Sequence, residues 1–439
     1  MQGNNAEILR RKIRTKKAKV AVIGLGYVGL PLAMTFVRKG FRVIGIDISQ
    51  DRVKKIAMGT SYISDVSDKE LRTLLRLKRF AVTNDFAVVR DADGVIICVP
   101  TPLRKKKTPD MSYIRNAVKK IEKNIRPGQI IVLESTTYPG TTREILLPLL
   151  ESGGLTEGED FYLAFSPERI DPGNKFYKTE NTPKVIGGIS KKSTEIAKLL
   201  YDQAIKKVVA VSSARAAEMV KLLENTFRIV NTALVNEIAT LCDKFGLDTW
   251  EIIDAAKTKP YGYMAFYPGP GVGGHCIPVD PLYLSWKAKK HGFETKFINL
   301  ASSVNEEMPN YVVERIGRIL GAGKKRIQNA KILIVGIAYK KDVKDLRESP
   351  AIGIIKLLSA KKARVSYYDP FFPYFKIRGI DMKPVPMDAK TIKKFDCTVL
   401  ITDHTKLNYG LLAKNSKAIL DTRNIFHKLG IKSGNIIKL

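Results

Sequence analysis

Three glycines spaced as G-x-G-x-x-G constrain the fold of this chain more than any other feature. The segment VAVIGLGYVGLPLAMTF places Gly24, Gly26 and Gly29 between a β-branched run and an apolar helical run. The first glycine permits a tight turn, the second lets a pyrophosphate approach the backbone, and the third lets the helix pack against the strand. The motif therefore predicts a βαβ unit of a parallel, dinucleotide-binding sheet.

An acidic residue completes this fingerprint. The next strand-like run, FRVIGID, ends in Asp47, about 20 residues beyond the glycines, where an acid binds the ribose hydroxyls of the cofactor. Such an acid repels a 2′-phosphate, so the expected cofactor is NAD rather than NADP, although Arg52 nearby weakens that preference.

Short β-branched runs alternate with helical runs at both ends of the chain. The first series is VAVIG, FRVIGID, GVIICVP, QIIVLES and DFYLAFS, and the second is AKILIVGIAYK, ARVSYYDP, CTVLITD and AILDTRN. Between them, Ala214 to Phe245 runs without Pro or Gly, which predicts one long helix. The expected fold class is α/β, with two Rossmann-like doubly wound domains joined by a central helical domain. The expected domain bounds are 1–212, 213–320 and 321–439.

Cys276 differs from the other three cysteines in its surroundings. Cys98 and Cys397 lie in strand-like runs and Cys242 lies in a helical run, where a reduced cysteine behaves as a small buried hydrophobe. Cys276 follows four glycines in PGPGVGGHCIPVD, a loop without the apolar period of a core, which favours a nucleophile. The adjacent His275 is expected to point elsewhere and is assigned a structural role. The cysteine spacing fits no zinc site or disulfide framework, so no metal is expected.

A cysteine nucleophile needs donors that stabilise an oxyanion and a carboxylate that manages protons. Lys221 and Asn225 are four residues apart in the predicted helix and share one face, for which an ordinary solvated surface is the alternative. Asp280 follows the thiol by four residues. Glu168 follows a strand-like run, at the edge where α/β sheets bind ligands, or forms a turn salt bridge. Thr101, in VPTP, either faces the cofactor or closes a turn.

The charge and hydropathy of the chain limit the kinds of partner that it is expected to bind. The chain of 439 residues carries 75 basic and 43 acidic side chains, a net charge of +32. Because the excess is dispersed and not interleaved with aromatic residues, no nucleic-acid partner is expected. No apolar run reaches the length of a membrane span, and the N-terminus lacks an apolar signal segment. A cytoplasmic protein without membrane insertion is therefore expected.

With these motifs in hand, the chain resembles the UDP-hexose 6-dehydrogenase family, which acts on UDP-glucose, UDP-N-acetylglucosamine or UDP-N-acetylmannosamine. The resemblance covers nearly the whole chain, through GLGYVGLPLA, VPTPL, VLESTTYPGTT, FSPERIDPGN, KLLENTFR, GPGVGGHCIPVDP and KDVKDLRESP in the family's order. It implies an N-terminal NAD domain, a helical dimerisation domain and a C-terminal UDP-sugar domain. NAD as cofactor, a UDP-sugar as substrate and a homodimer or higher homo-oligomer are implied with it.

The resemblance also implies roles for individual residues. The implied catalytic residues are Cys276, Lys221, Asn225, Asp280, Glu168 and Thr136. The implied NAD contacts are Gly24, Gly26, Tyr27, Val28, Gly29, Asp47, Arg52, Thr101, Thr136 and Arg347. The implied substrate contacts are Glu168, Lys221, Asn225, Tyr267, Gly271, Lys340 and Arg423. UDP-glucose enzymes of the family commonly carry a lysine before the aspartate of the cysteine motif, whereas Val279 here favours the N-acetylhexosamine branch, with UDP-N-acetylglucosamine as first candidate.

The predicted reaction is a four-electron oxidation of the C6 alcohol to a uronic acid, through a thiohemiacetal and a thioester on Cys276, for polysaccharide or glycan precursor synthesis. UDP-N-acetylmannosamine and UDP-glucose are alternative substrates. One rival is a two-electron dehydrogenase of the hydroxyacid or 6-phosphogluconate kind, which needs no thiol. Another is a noncatalytic NAD or nucleotide-sugar sensor that binds nucleic acid through its charge.

Overall fold

The computed structural model describes residues 2–63, 66–104, 108–171, 174, 176–274, 276–377 and 379–439. These residues divide into two compact units. The first unit comprises 1–224 with 282–292, and the second comprises 225–281 with 293–439. No helix among the described residues is long and apolar enough to cross a membrane.

Eight strands form the sheet of the first unit. They are β1 (Lys19–Ile23), β2 (Arg42–Ile46), β3 (Phe80–Thr83), β4 (Gly94–Ile97), β5 (Gln129–Leu133), β6 (Phe161–Phe165), β7 (Lys184–Gly188) and β8 (Val208–Ala210). Their order is β3-β2-β1-β4-β5-β6-β7-β8, and every neighbouring pair is parallel except β6 and β7. The helices are α1 (Gln2–Arg14), α2 (Gly29–Arg38), α3 (Gln50–Ala57), α4 (Asp68–Arg76), α5 (Ser112–Glu122), α6 (Leu147–Glu151) and α7 (Lys191–Asp202).

The strands of this sheet are apolar along almost their whole length because they are buried in the core. Every residue of β4, β5 and β6 is buried, as expected for parallel strands covered by helices on both faces. Leu9 and Ile13 of α1, Phe36 of α2 and Leu200 of α7 pack into the same core cluster. This packing fixes the carboxyl ends of the strands, where the loops described below begin.

Helical sequence follows the first sheet. Helix α8 (Ala214–Phe245) has the predicted bounds, because nothing in that stretch breaks the backbone hydrogen bonds of a helix. Three further helices follow, α9 (Thr249–Ala256), α10 (Asp280–Lys289) and α11 (Lys296–Ala322).

A second parallel sheet lies in the C-terminal part of the chain. Its elements, with a small hairpin between them, are β9 (Lys331–Val335), α12 (Pro350–Ala360), β10 (Arg364–Tyr368), β11 (Phe375–Ile377), β12 (Ile380–Met382), α13 (Ala389–Ile392), β13 (Cys397–Leu400), α14 (Tyr409–Asn415), β14 (Ile419–Asp421), α15 (Ile425–Lys428) and β15 (Ile436–Lys438). The five-stranded order is β10-β9-β13-β14-β15, entirely parallel, and β11 pairs with β12 antiparallel.

Both sheets have the same pairing of a glycine with an aspartate after their first strands. Gly24 follows β1 with φ +90°, and Gly336 follows β9 with φ +80°. Asp47 and Asp369, after the neighbouring strands, each accept a backbone N–H from the residue that follows that glycine. In the second sheet, His404 Nε2 also lies 3.0 Å from the Asp369 carboxylate.

The predicted fold class is confirmed, with two doubly wound parallel sheets and helical sequence between them. The strands that were not predicted from the sequence are β3, β7, β8, β15 and the hairpin of β11 and β12. All of them except β7 are three or four residues long and only partly buried, so they carry no continuous apolar run. The domain bounds 1–212, 213–320 and 321–439 stay a prediction.

Candidate active site

The glycine turn between β1 and α2 has the shape that a dinucleotide requires. A Cβ on Gly24 would lie 2.7 Å from the Cys98 carbonyl oxygen, and one on Gly29 would lie 1.9 Å from the Gly24 carbonyl oxygen. A Cβ on Gly26 would meet nothing within 4 Å. Two glycines are therefore needed by the fold itself, whereas the third leaves open space over the turn. NAD fits this cradle, because its pyrophosphate needs bare backbone at that point.

Asp47 stands at the end of β2 with its carboxylate turned toward the glycine turn. Its Oδ2 accepts the N–H of Leu25 at 2.9 Å, and its Oδ1 accepts the N–H of Ser49 at 2.9 Å. Arg52 Nη1 lies 3.3 Å from Oδ2. Burial and the Asp47 charge raise the pKa of nearby Tyr62, whose hydroxyl donates to the Leu25 carbonyl. This tyrosine was not predicted from the sequence.

The remaining predicted NAD residues of the first unit lie in or beside strand-end loops. Tyr27 is exposed within the glycine turn, and Val28 precedes α2. Thr101 is buried after β4, and its carbonyl accepts the hydroxyl of Tyr283. Thr136 is half-buried in the loop after β5.

A buried carboxylate supports the loop that carries Thr136. Glu218 of α8 accepts the N–H of Gly140, and its Oε1 accepts the N–H and hydroxyl of Thr142 at 2.8 and 2.6 Å. Burial raises the pKa of Glu218 to about 7. Glu218 lies four residues past the start of α8. Its role could not be predicted from the sequence, because its hydrogen-bond partners Gly140 and Thr142 are distant along the chain.

Glu168 is buried after β6 as part of an ion cluster. Lys184 Nζ, at the start of β7, lies 3.1 Å from Glu168 Oε2 and 2.7 Å from Glu134 Oε2. Tyr201 of α7 donates its hydroxyl to Glu134 Oε1. Of these residues, only Glu168 was predicted from the sequence. The available signal was a glutamate that ends the buried strand run QIIVL, because a charge at such a place needs a partner.

The pKa values of the two carboxyls in this cluster are shifted in opposite directions. Burial raises the pKa of Glu134 to about 7, against the lowering effect of Lys184. For Glu168 burial acts in the same direction, but Lys184, the N–H of Ile170 and the charge of Lys221 together bring its pKa below its usual value. The structure therefore places Lys221 within electrostatic reach of Glu168.

Lys221 and Asn225 occupy successive turns of the unbroken helix α8. Lys221 is half-buried and Asn225 is buried, so the alternative of a fully solvated face is wrong. Asn225 Nδ2 donates to Asp280 Oδ2 at 2.5 Å, and Asp280 is itself buried. The amide of Asn225 thus fixes the carboxylate that follows the cysteine motif.

Cys276 is an exposed thiol at the turn that starts α10. Its carbonyl oxygen accepts the N–H of Val279 at 3.1 Å and of Asp280 at 2.8 Å. The turn therefore holds the thiol and the Asp280 carboxylate in one compact segment. His275 lies outside the described residues. Cys242 and Cys397 are buried, and Cys98 is half-buried, in line with their predicted packing roles.

The glycines before the cysteine let the loop pack against the segment after β9. A Cβ on Gly273 or Gly274 would lie 2.8 Å from the side chain of Tyr339, and Gly274 donates its N–H to the Arg347 carbonyl at 3.0 Å. Burial lowers the pKa of Arg347, but hydrogen bonds to Asp345 and electrostatic interactions with Asp345, Tyr339 and Cys276 produce a net rise. Arg347, predicted as an NAD contact, therefore lies within electrostatic reach of the thiol.

Ring stacking or hydrogen bonds hold two predicted substrate residues of the second unit, Tyr267 and Arg423. The Tyr267 ring stacks on Trp250, with centroids 5.4 Å apart and an interplanar angle of 15°, and its hydroxyl donates to Asp254 Oδ1 at 2.7 Å. Arg423 donates Nε–H to the Ile401 carbonyl at 2.8 Å. Its Nη1 would lie 2.8 Å from a Cβ on residue 269, which is glycine.

A cavity of about 330 Å³ adjoins the cysteine loop within the second unit. Its lining includes Gly271 and Pro278 of the loop, Asn305 of α11 and Ser349. Gly271 adopts φ +127°, a conformation that a residue with a side chain rarely adopts. Lys340 is half-buried directly after Tyr339 and thus belongs to the segment on which the loop packs.

The described side chains present nucleophilic and acid-base groups rather than a metal centre. Within the parts of the chain that the structure describes, no three His, Cys, Asp or Glu side chains form a group that could hold a metal ion. The first unit offers a dinucleotide cradle and an ionised glutamate, and the second offers a thiol beside a held carboxylate. Such groups can support hydride removal, covalent capture of a carbonyl and hydrolysis.

Known proteins match nearly the whole length of this chain. Models of the UDP-glucose/GDP-mannose dehydrogenase family match its NAD binding domain over residues 18–205, its central domain over 215–307 and its UDP binding domain over 333–428. The UDP-N-acetyl-D-mannosamine dehydrogenase of Pyrococcus horikoshii is 36% identical over 413 residues, which are 93% of this chain and 96% of that protein.

Two further similarities agree with these matches. The UDP-N-acetyl-D-glucosamine 6-dehydrogenase of Pseudomonas aeruginosa is 37% identical over 358 residues, which are 81% of this chain and 83% of that protein. The solved structure of the Pyrococcus horikoshii UDP-ManNAc dehydrogenase superimposes with a TM-score of 0.85 at 35% identity, covering 96% of this chain and 98% of that one.

Proposed function

The chain belongs to the UDP-glucose/GDP-mannose dehydrogenase family, and on that premise we propose that it oxidises the C6 alcohol of a UDP-N-acetylhexosamine to the carboxylate. It is an NAD-dependent UDP-sugar 6-dehydrogenase at the level of its family. The observation that carries the four-electron chemistry is the exposed Cys276 thiol in the turn that also holds Asp280. An acidic sugar nucleotide of this kind suits glycan precursor synthesis.

The proposed steps follow from what each side chain can do. Held at the glycine turn and Asp47, NAD would supply the hydride acceptor for both oxidations. Asp280, with Lys221, organises the group that takes the C6 hydroxyl proton. Cys276 Sγ then bonds to the aldehyde carbon, and loss of a second hydride from this thiohemiacetal leaves a thioester.

Water attack on the thioester breaks the carbon–sulfur bond and releases the acid. Glu168 accepts the proton of that water, and Lys221 and Asn225 stabilise the oxyanions of both addition steps. The balance is one alcohol, two NAD and one water giving one carboxylate, two NADH and three protons.

For NAD we propose Gly24, Gly26, Gly29, Asp47 and Thr101 as the central contacts. Tyr27, Val28, Arg52, Thr136 and Arg347 are proposed as further contacts. For the UDP-sugar we propose contacts with Tyr267, Gly271, Lys340 and Arg423. An aromatic ring suits the uracil base, bare glycine backbone suits the pyrophosphate, and the two cationic side chains suit its negative charge. Glu168, Lys221 and Asn225 are proposed to contact the sugar.

The acetamido sugar is supported by Val279, a buried residue where a UDP-glucose enzyme commonly carries a lysine. UDP-N-acetylglucosamine is the first candidate, on the motif GHCIPVDPLYLSWKA. UDP-N-acetylmannosamine is the second, because the Pyrococcus horikoshii relative is named for it. These sugars differ only at C2, so a few pocket contacts separate them.

An assay of NADH formation over UDP-glucose, UDP-galactose, UDP-N-acetylglucosamine and UDP-N-acetylmannosamine tests the proposal. We expect one acetamido sugar to be preferred over UDP-glucose by roughly 10²-fold in kcat/KM, because the site then contacts an additional polar group. Two NADH should form per uronic acid. Activity confined to UDP-glucose would contradict the proposed branch. One NADH per sugar would identify a two-electron dehydrogenase.

We also propose that the enzyme is a homodimer that pairs through α8. Phe227, Leu234, Leu241 and Phe245 recur at helical spacing along α8 and are exposed in the single chain, as is Phe297 at the start of α11. Large apolar side chains that repeat along one helix face usually meet another protein surface. A second copy provides the same face, and two such helices can pack against each other.

The dimer proposal predicts that Leu234→Glu raises the dimer dissociation constant by at least roughly tenfold, because a carboxylate would be buried in an apolar contact. Sedimentation over a range of concentrations measures the change. Leu77→Glu is the matched control, since Leu77 is exposed to nearly the same degree, 55% against 56%, but lies after α4. Equal masses for both variants and the unmodified protein would refute this interface.

A further inference from the structure

The ion cluster beneath Glu168 has an unbalanced set of charges. Glu134 and Glu168 surround one lysine, Lys184, and the side chains of Glu134 and Lys184 are 0% and 3% exposed. With both carboxyls ionised this buried group carries a net charge of −1. Burying an uncompensated charge is strongly unfavourable, so the cluster favours one additional proton.

The groups that face the cluster define where this proton can reside. Tyr201 of α7 and Cys98 after β4 face Glu134 as neutral groups, and burial raises the pKa of each. Lys221 of α8 contributes a positive charge that acts on Glu168. The positive charge of Lys221 therefore favours the ionised form of Glu168 over that of Glu134.

Hydrogen bonding separates the two carboxyls further. Glu168 Oε1 accepts the N–H of Arg169 at 2.6 Å and of Ile170 at 2.5 Å. A backbone N–H cannot accept a proton, so protonating that oxygen would oppose both bonds. The hydroxyl of Tyr201 can accept as well as donate, so Glu134 can take a proton and reverse its hydrogen bond. The additional proton therefore resides on Glu134.

We propose that Glu134 and Lys184 are positioning residues that keep Glu168 ionised and correctly oriented, with Lys184 as its counter-charge and Glu134 as the proton-storing partner. This inference rests on the proposed function, in which Glu168 accepts a proton during thioester hydrolysis. When Glu134 ionises, the cluster becomes net negative and Lys184 is shared between two anions. The proton affinity of Glu168 rises, so the hydrolytic step changes with pH.

Glu134→Gln tests the proton-storing role. Glutamine can accept from Lys184 and donate to Tyr201, yet it cannot titrate. For the unmodified enzyme we expect a break in the profile of log kcat near pH 7, where Glu134 ionises, measured by NADH formation from about pH 5.5 to about pH 9. The Glu134→Gln profile should lack that break.

Glu218→Gln is the matched control for this measurement. Glu218 is also a buried glutamate of the first unit, and burial raises its pKa to about 7 as well. The break should persist in Glu218→Gln. A break that persists in Glu134→Gln, or that disappears in Glu218→Gln instead, would overturn the proposal.

The counter-charge role needs a variant that folds. Lys184→Met alone leaves two buried carboxyls without their cation, so the double variant Glu134→Gln with Lys184→Met carries the test. Its Glu168 should become protonated and slow thioester hydrolysis by roughly 10²-fold, the usual range for loss of a general base. Intact-protein mass spectrometry should then detect an acyl adduct on Cys276, whereas wild-type hydrolysis without an adduct would overturn the role.

The same experiments keep this inference separate from the proposed function. If the unmodified enzyme forms two NADH per uronic acid while both cluster variants behave as it does, only the cluster inference fails. If the unmodified enzyme forms one NADH per sugar and never acylates Cys276, the proposed function itself fails.

Discussion

Cys276→Ala is expected to lower the rate of uronic acid formation by roughly 10³-fold or more, as loss of a covalent nucleophile does in other enzymes. Without the thiol, the aldehyde forms no thiohemiacetal and has no route to a thioester. Removing the side chain from an exposed site should leave the melting temperature unchanged. Product analysis by mass spectrometry, alongside NADH counting, measures the effect.

Cys242→Ala serves as the control for this variant. Cys242 is buried in α8, where alanine is a good helix former, so activity should be retained. Uronic acid formation at the wild-type rate by Cys276→Ala would exclude the covalent mechanism. Equal loss of activity in both variants would point to a general effect of cysteine removal.

Gly26→Ala and Gly29→Ala form the second pair with large and opposite expected effects. In Gly29→Ala the new methyl group would lie 1.9 Å from the Gly24 carbonyl oxygen, so we expect a loss of about 3 kcal/mol or more of folding free energy. In Gly26→Ala the methyl group meets open space in the free protein, so stability should hold. It would instead occupy the path of the pyrophosphate and weaken NAD binding by at least roughly tenfold, or about 1.4 kcal/mol.

Chemical denaturation and NAD titration distinguish these outcomes, because each variant serves as the control for the other. Tight NAD binding by Gly26→Ala would mean that the cofactor lies elsewhere. A fully stable Gly29→Ala would mean that the contact between α2 and β1 tolerates a shift.

The local motifs were predictable because their information lies within a few consecutive residues. The glycine turn, the acid at Asp47 and the unbroken helix from Ala214 to Phe245 each depend on backbone conformation that adjacent residues dictate. Cys276 could be distinguished from the other cysteines by its glycine-rich loop, and the structure shows it exposed. The short strands β4, β13 and β14 are fully buried, and their apolar runs were recognised. Strands of similar length that are partly exposed were missed, because they carry no continuous apolar run.

Side-chain partnerships across the sheet were not predictable in the same way. Lys184 meets Glu134 across 50 residues, and Tyr201 meets it across 67, because the order β5-β6-β7 and the packing of α7 bring them together. Arg347 reaches the cysteine loop because Tyr339 fits against two glycines. Neither contact leaves a periodic signal in the sequence.

The sequence by itself thus determined the class of protein, the glycine turn for the cofactor and the placement of one cysteine in a glycine-rich loop, since each resides in a short segment whose conformation is local. Only the tertiary structure decided which ionisable groups become neighbours, and with them the protonation of Glu134 and Glu168. The physical reason is that a pKa depends on burial and on charges a few ångströms away, and those neighbours are set by the order of strands rather than by the order of residues.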